Sequence, residues 1–183
     1  MTYKKRLAIV AAIILVSVIL DQITKRMAIA WLMGHPPIIY WGDFFRLQYA
    51  ENTGAFLGIF GKMSANIRNF LLIGFNSIIL IAVALFLLRR HAIANTMAIA
   101  FALILSGGIG NLIDRVIYGG VVVDFMNMGL PWLPIGGWEP RTGIFNVADL
   151  AIVGGLVLVI LTEFMKPKAP ESPAEPETAE QSE

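Results

Sequence analysis

Residues 70–88 read FLLIGFNSIILIAVALFLL, 19 residues without a formal charge. A helix that crosses the hydrocarbon core of a bilayer needs about 20 mainly apolar residues. This stretch meets that need, and the sequence on either side repeats it. Leu7–Leu20 gives 14 mainly apolar residues, and the pattern continues through Asp21 toward Met27. His91–Ile113 gives 23 residues without formal charge if histidine is neutral, and Thr142–Thr162 gives 21 interrupted only by Asp149. The expected fold is therefore an all-α membrane protein with four transmembrane helices.

Composition agrees. The 183-residue chain is 57% hydrophobic and only 15% charged, against about 25% charged in ordinary soluble domains. A water-soluble globule of this size has too little interior to hide that much apolar surface. Disorder of the main body is excluded by the same composition. Residues 1–165 read as one membrane domain. The tail 166–183, KPKAPESPAEPETAEQSE, is rich in Pro, Glu and Ala and is expected to be disordered. It carries two Lys and five Glu, so the remaining twelve basic and eight acidic residues give the membrane body a net charge of +4.

The first span follows Lys4-Lys5-Arg6, as a cleaved signal peptide would. A small-residue cleavage site should then come next. Asp21-Gln22-Ile23-Thr24-Lys25 stands there instead, so a retained helix is expected. Basic residues also set orientation. Lys4, Lys5 and Arg6, Arg89-Arg90, and Lys166 with Lys168 fall on one side of a four-span chain. Both termini are expected in the cytoplasm, with the connections of about 27–69 and 115–141 on the outer side.

Those outer connections are not plain loops. Pro36-Pro37 breaks the helix. Within Asp43–Tyr49, Phe45, Leu47 and Tyr49 alternate with Arg46 and Gln48, as in a half-exposed strand. Val121-Val122-Val123 is also β-prone. A small β-rich outer platform is expected. Trp31, Trp41, Trp132 and Trp138 read as residues of these connections that anchor at the membrane interface.

With no cysteine there is no thiolate chemistry and no disulfide. The two histidines, His35 and His91, are far apart and form no HExxH pair, so a zinc hydrolase of that type is not expected. A Ser–Lys pair from Lys25 or Lys62 with Ser64 has no support in spacing. What stands out is carboxylates where a membrane should be, which are costly and usually functional. Asp21 lies late in the first span, Asp114 ends the third, Asp124 follows it, and Asp149 is early in the fourth. The topology brings all of them to the outer level. Asn111, Asp114 and Arg115 share a helical face, and Asn146 and Asp149 are three apart. Gly107-Gly108 and Gly154-Gly155 would admit a neighbouring helix closely. A close pair of carboxylates shares one proton. One member can then activate water while the other polarises a carbonyl, which is one available route to peptide hydrolysis.

Five segments carry a more specific reading: Asp21-Gln22-Ile23-Thr24-Lys25, Glu51-Asn52-Thr53-Gly54-Ala55-Phe56, Gly107–Arg115, Val122-Val123-Asp124-Phe125 and Phe145–Asp149. In this order, in a four-span chain, they resemble lipoprotein signal peptidase, also called signal peptidase II, over about residues 7–165. The resemblance implies an aspartyl endopeptidase of the bacterial cytoplasmic (inner) membrane. It would cut prolipoproteins just before a cysteine that already bears diacylglycerol. The catalytic aspartates it implies are Asp124 and Asp149. Asn111 and Asn146 would grip substrate backbone or orient an aspartate, and Arg115 would hold a peptide carbonyl or brace a carboxylate. Asn52 would help the outer connection close over substrate, and Asp21 would support the site. Asp114 would be a partner, of Arg115 in the first instance. Gly54 and Gly108 would permit close backbone approach. The expected partners are the signal peptide with its diacylglyceryl-cysteine and membrane lipid. No cofactor, metal, nucleic acid or oligomeric partner is expected. Two other classes share the buried aspartates: a small ion-coupled transporter, and a scaffold in which Asp and Asn only glue helices. Asp124→Asn and Asp149→Asn separate them, because a scaffold should tolerate both.

Overall fold

The computed structural model describes residues 2–54, 63–90 and 93–165. In chain order its elements are helix α1 (Tyr3–Leu32), strands β1 (Ile38–Tyr40) and β2 (Phe45–Asn52), helices α2 (Ala65–Arg89) and α3 (Asn95–Ile117), strand β3 (Val122–Met128) and helix α4 (Val147–Phe164). Among the described residues these four helices are long and apolar enough to cross a membrane. Their outward faces are apolar, with Phe70, Phe75, Ile78, Val153 and Phe164 all exposed. In water such surfaces would drive aggregation; in lipid they are the solvated side.

Helix α3 is the centre of the bundle and packs on α1, α2 and α4. Its small residues make this possible. A Cβ on Gly107 would collide with the Ala148 carbonyl of α4, and one on Gly155 of α4 would stand 2.6 Å from the Ala100 carbonyl of α3. The expected close approach is thus between α3 and α4. Gly108 instead meets the Leu80 side chain of α2, and Gly154 faces open space. Val10, Leu80, Leu87, Ala98, Ala102 and Leu105 form a core joining α1, α2 and α3. At the end of the bundle where α1 leaves and α2 begins, Ala28 and Leu32 pack against Val123 and Phe125, seating the sheet on α1.

The sheet is antiparallel in the order β1-β2-β3. Arg46 pairs with Asn127 and Glu51 with Val123, with a bulge between Leu47 and Ala50. At the turn between β1 and β2, Trp41 and Asp43 take positive φ of 51° and 74°. The Asp43 carboxylate pairs with both Arg46 and Arg141, and Arg141 also donates to the Asp43 carbonyl at 2.7 Å. This clasp ties the hairpin to the 129–141 segment, and the Arg46 hydrogen bond holds the Asp43 carboxyl below its usual range.

Several boundaries differ from the sequence reading. Helix α1 continues to Leu32, so Trp31 is on a helix rather than in a connection. Helix α4 starts at Val147, not Thr142. Residues 142–145 stay extended because they bridge to β3: Phe145 exchanges backbone bonds with Met126, and Thr142 donates to the Met128 carbonyl at 2.8 Å. Strand β1 was not anticipated, and β3 runs well beyond the valine triplet. His91, Lys62, Ala55, Phe56 and the tail 166–183 lie outside the described residues.

Candidate active site

Asn146 is the point where the site is assembled. It caps α4, and its side-chain oxygen accepts the Asp149 N–H at 2.9 Å while Asp149 Oδ2 accepts the Asn146 N–H at 3.1 Å. This reciprocal capping box fixes the first turn of α4 and the Asp149 side chain with it. The Asn146 amide nitrogen then donates to Asp124 Oδ1 on β3 at 2.6 Å. One fully buried asparagine therefore joins two aspartates from different elements.

Neutral donors complete the pair. Asn52 Nδ2 on β2 donates to Asp124 Oδ2 at 3.0 Å, and Asn111 Nδ2 on α3 donates to Asp149 Oδ1 at 2.9 Å. Asn52 thus touches Asp124 itself, and its own oxygen accepts the Gly54 N–H at 2.9 Å. Gly54 sits at φ +68°, so its backbone freedom is required in that turn. Asp124 is only 2% exposed. Burial pushes its carboxyl up to about 6, with the Asp149 charge adding to the rise and Asn52, Asn146 and Lys25 opposing it. A carboxyl in that range can hold or release a proton near neutrality.

Beneath the pair lies a buried ionic cluster. Lys25 Nζ is 2.9 Å from Asp21 and 3.0 Å from Asp114, and donates to Asn111 Oδ1 at 3.0 Å. The Gln22 amide adds a bond to Asp114 at 2.9 Å. Asp21 accepts the Ala148 N–H at 2.9 Å. The ionic partner of Asp114 is Lys25 and not Arg115, because Asp114 points back toward α1 while Arg115 folds along its own helix to donate to the Asn111 carbonyl at 3.2 Å. Arg115 Nε is buried without a hydrogen-bond partner. Lys25 and Gln22 were missed as site residues. The i,i+4 spacing of Asp21 and Lys25 was visible, but their convergence on α3 was not.

All ten singled-out positions except Gly108 gather at this end of the bundle; Gly108 serves the α2–α3 contact. Among the described residues no group of three His, Cys, Asp or Glu side chains is arranged to hold a metal ion. Exposed His35 bonds the Met33 carbonyl, away from the pair. The chemistry on offer is acid–base work by two carboxylates held by amides.

Residues 13–165 match the family model described as Signal peptidase (SPase) II. A lipoprotein signal peptidase of Sphingopyxis alaskensis is 38% identical, covering 88% of this chain and 88% of that one. One from Chlorobium phaeobacteroides is 35% identical, over 79% of this chain and 83% of its own. Among solved structures, a bacterial membrane enzyme determined by the in meso method at 1.9 Å resolution superposes with a TM-score of 0.71 at 28% identity, covering 87% of this chain and 95% of that one.

Proposed function

The chain belongs to the signal peptidase II family, and on that premise we propose that it is a multi-pass inner-membrane endopeptidase which frees prolipoproteins of their signal peptides by aspartyl catalysis. The cut falls just before the cysteine that bears diacylglycerol. The observation that carries the reading is the Asn146 bridge between Asp124 and Asp149.

The pair holds one proton between its two members, since adjacent carboxylates do not both ionise readily. The ionised member takes a proton from water as that water attacks the scissile carbonyl. The protonated member donates toward the carbonyl oxygen. The resulting tetrahedral adduct collapses when the proton taken from water passes to the leaving nitrogen, the C–N bond breaks, and the proton on the former carbonyl oxygen returns to the carboxylate that gave it. Asn111 and Asn146 hold the carboxylates in place while this happens. The Arg115 guanidinium supplies positive charge beside Asp149 and Asp124. The membrane explains the placement. A signal peptide and its lipid anchor stay in the bilayer, so the scissile bond is met at a bundle end that water can reach.

The test is cleavage by the purified full chain in detergent, with a diacylglyceryl-modified prolipoprotein and its unmodified form. Only the modified substrate should be cut. Asp124→Asn and Asp149→Asn should each lower kcat by about three orders of magnitude or more while the protein stays folded, a loss typical of removing an essential acid–base group. Chelators should leave the rate unchanged. Folded Asn variants that still cleave would rule out the pair.

A further inference from the structure

Lys25 takes no step in this reaction, yet at 1% exposure it is more deeply buried than any other cation among the described residues. A buried ammonium is costly unless acceptors surround it. Three do: Asp21, Asp114 and Asn111. Each of them makes a second bond that leads to the aspartate pair. Asp21 Oδ1 accepts the N–H of Ala148, the residue before Asp149, at 2.9 Å. Asp114 Oδ2 accepts the N–H of Val123, the residue before Asp124, at 3.0 Å. Asn111 donates to Asp149 directly.

The amide of Asn111 makes the point sharper. An ammonium only donates, so it requires an acceptor opposite. Asn111 must turn its oxygen to Lys25, and Asn146 Nδ2 shares that oxygen at 3.1 Å. The amide nitrogen is then left for Asp149. Without Lys25 that oxygen keeps only the longer bond from Asn146 Nδ2, a nitrogen that also serves Asp124 at 2.6 Å, and the hold on the amide is weakened.

We infer that Lys25 is a positioning residue for the proposed dyad. Through Asn111 it fixes which end of the amide faces Asp149. Through Asp21 and Asp114 it fixes the backbone immediately before both aspartates. The inference rests on the dyad reading above. It differs from a general packing role because it predicts loss of turnover with little loss of substrate binding.

The experiment compares Lys25→Met and Lys25→Arg with wild type in the same detergent assay, reading kcat, KM, the pH profile and thermal unfolding. Lys25→Met should lower kcat about 100-fold, the scale expected when reacting groups shift by about an ångström. KM should stay within about twofold of wild type, since no substrate contact is removed. Lys25→Arg, which keeps charge and donors, should retain more turnover. The charged groups around Asp124 are Lys25 with Asp21 on α1, Asp114 and Arg115 on α3, and Asp149 on α4; β2 presents neutral Asn52, with Glu51 exposed. Removing the Lys25 charge should move the limb that Asp124 governs to higher pH.

Lys25→Met leaves two buried carboxylates without their cation. Should it fail to fold, Asp21→Asn/Lys25→Met/Asp114→Asn removes the charges together, and the same split of kcat from KM is expected. A folded variant with wild-type kcat, or with a raised KM alone, overturns the assignment. So does a triple variant that does not fold, because Lys25 would then be structural. Asp124→Asn and Asp149→Asn run alongside. If either still cleaves, the dyad falls first; if both are dead beside a fully active Lys25→Met, only the Lys25 assignment falls.

Discussion

Asn52 shows how one amide can tune the chemistry. Its Nδ2 donates to Asp124 Oδ2, and a hydrogen bond to the charged form of a carboxyl favours that form. Burial raises Asp124 to about 6 in spite of this bond. Asn52→Ala removes the donor, so Asp124 should rise further and hold its proton to higher pH. The limb of the pH–rate profile that Asp124 governs should move upward by about one pH unit, given about 1.5–3 kcal/mol for a hydrogen bond to a charged group and some replacement by water. A profile of kcat/KM for wild type and variant checks this, and an unmoved or lowered limb would mean that Asn52 does not tune Asp124. This contact was not legible in the sequence. Asn52 and Asp124 are 72 residues apart, and only the resemblance marked Asn52 at all. Asp124 and Asp149 were legible as carboxylates at span ends, but choosing them over Asp21 and Asp114 also needed the resemblance. The structure supplies a physical distinction: Asp21 and Asp114 each pair with the Lys25 ammonium, while Asp124 and Asp149 are held by neutral donors, asparagine side-chain amides and, for Asp149, the Asn146 N–H as well.

At the scale of elements, the α3–α4 contact sets the site, because it brings Asn111 against Asp149. Two adjacent glycines in α4 give a controlled comparison. Gly155 faces the Ala100 carbonyl, whereas Gly154 has nothing within 4 Å of an added Cβ. Gly155→Ala should therefore separate the helices and cost about 1–3 kcal/mol, the usual range for overpacking. Gly154→Ala should be neutral or slightly stabilising, since alanine exceeds glycine in helix propensity by about 1 kcal/mol. Thermal unfolding in detergent reads both, and equal effects would show that α4 is not seated through Gly155. The spans were legible because apolar length is a property of the local sequence. Their ends were less so. Helix α4 starts late because Asn146 caps it and residues 142–145 belong to β3's edge. Strand β1 is only three residues, all exposed, and leaves no alternating pattern to read.

The whole molecule has two unlike ends, and the difference bears on how it sits in a membrane. At one end Arg6 is buried and donates to the carbonyls of Arg90 and Ile93, closing α1 over the α2–α3 connection. Lys4, Lys5 and Arg89 lie at this end too. The other end carries the sheet, the Asp43 clasp and the exposed Trp41, Trp132 and Trp138. On the positive-inside rule we propose that the first end faces the cytoplasm and the aspartate pair the outer side. The absence of native cysteine makes this simple to test. Ala94→Cys reports on the first end and Glu139→Cys on the second; both positions are exposed, and neither change alters a basic residue. A thiol reagent that does not cross membranes should label Cys at 139 in cells with a permeabilised outer membrane and an intact inner one. Cys at 94 should react only after the inner membrane is opened. The reverse pattern would put the site in the cytoplasm, and a peptidase there could not meet its substrates after translocation.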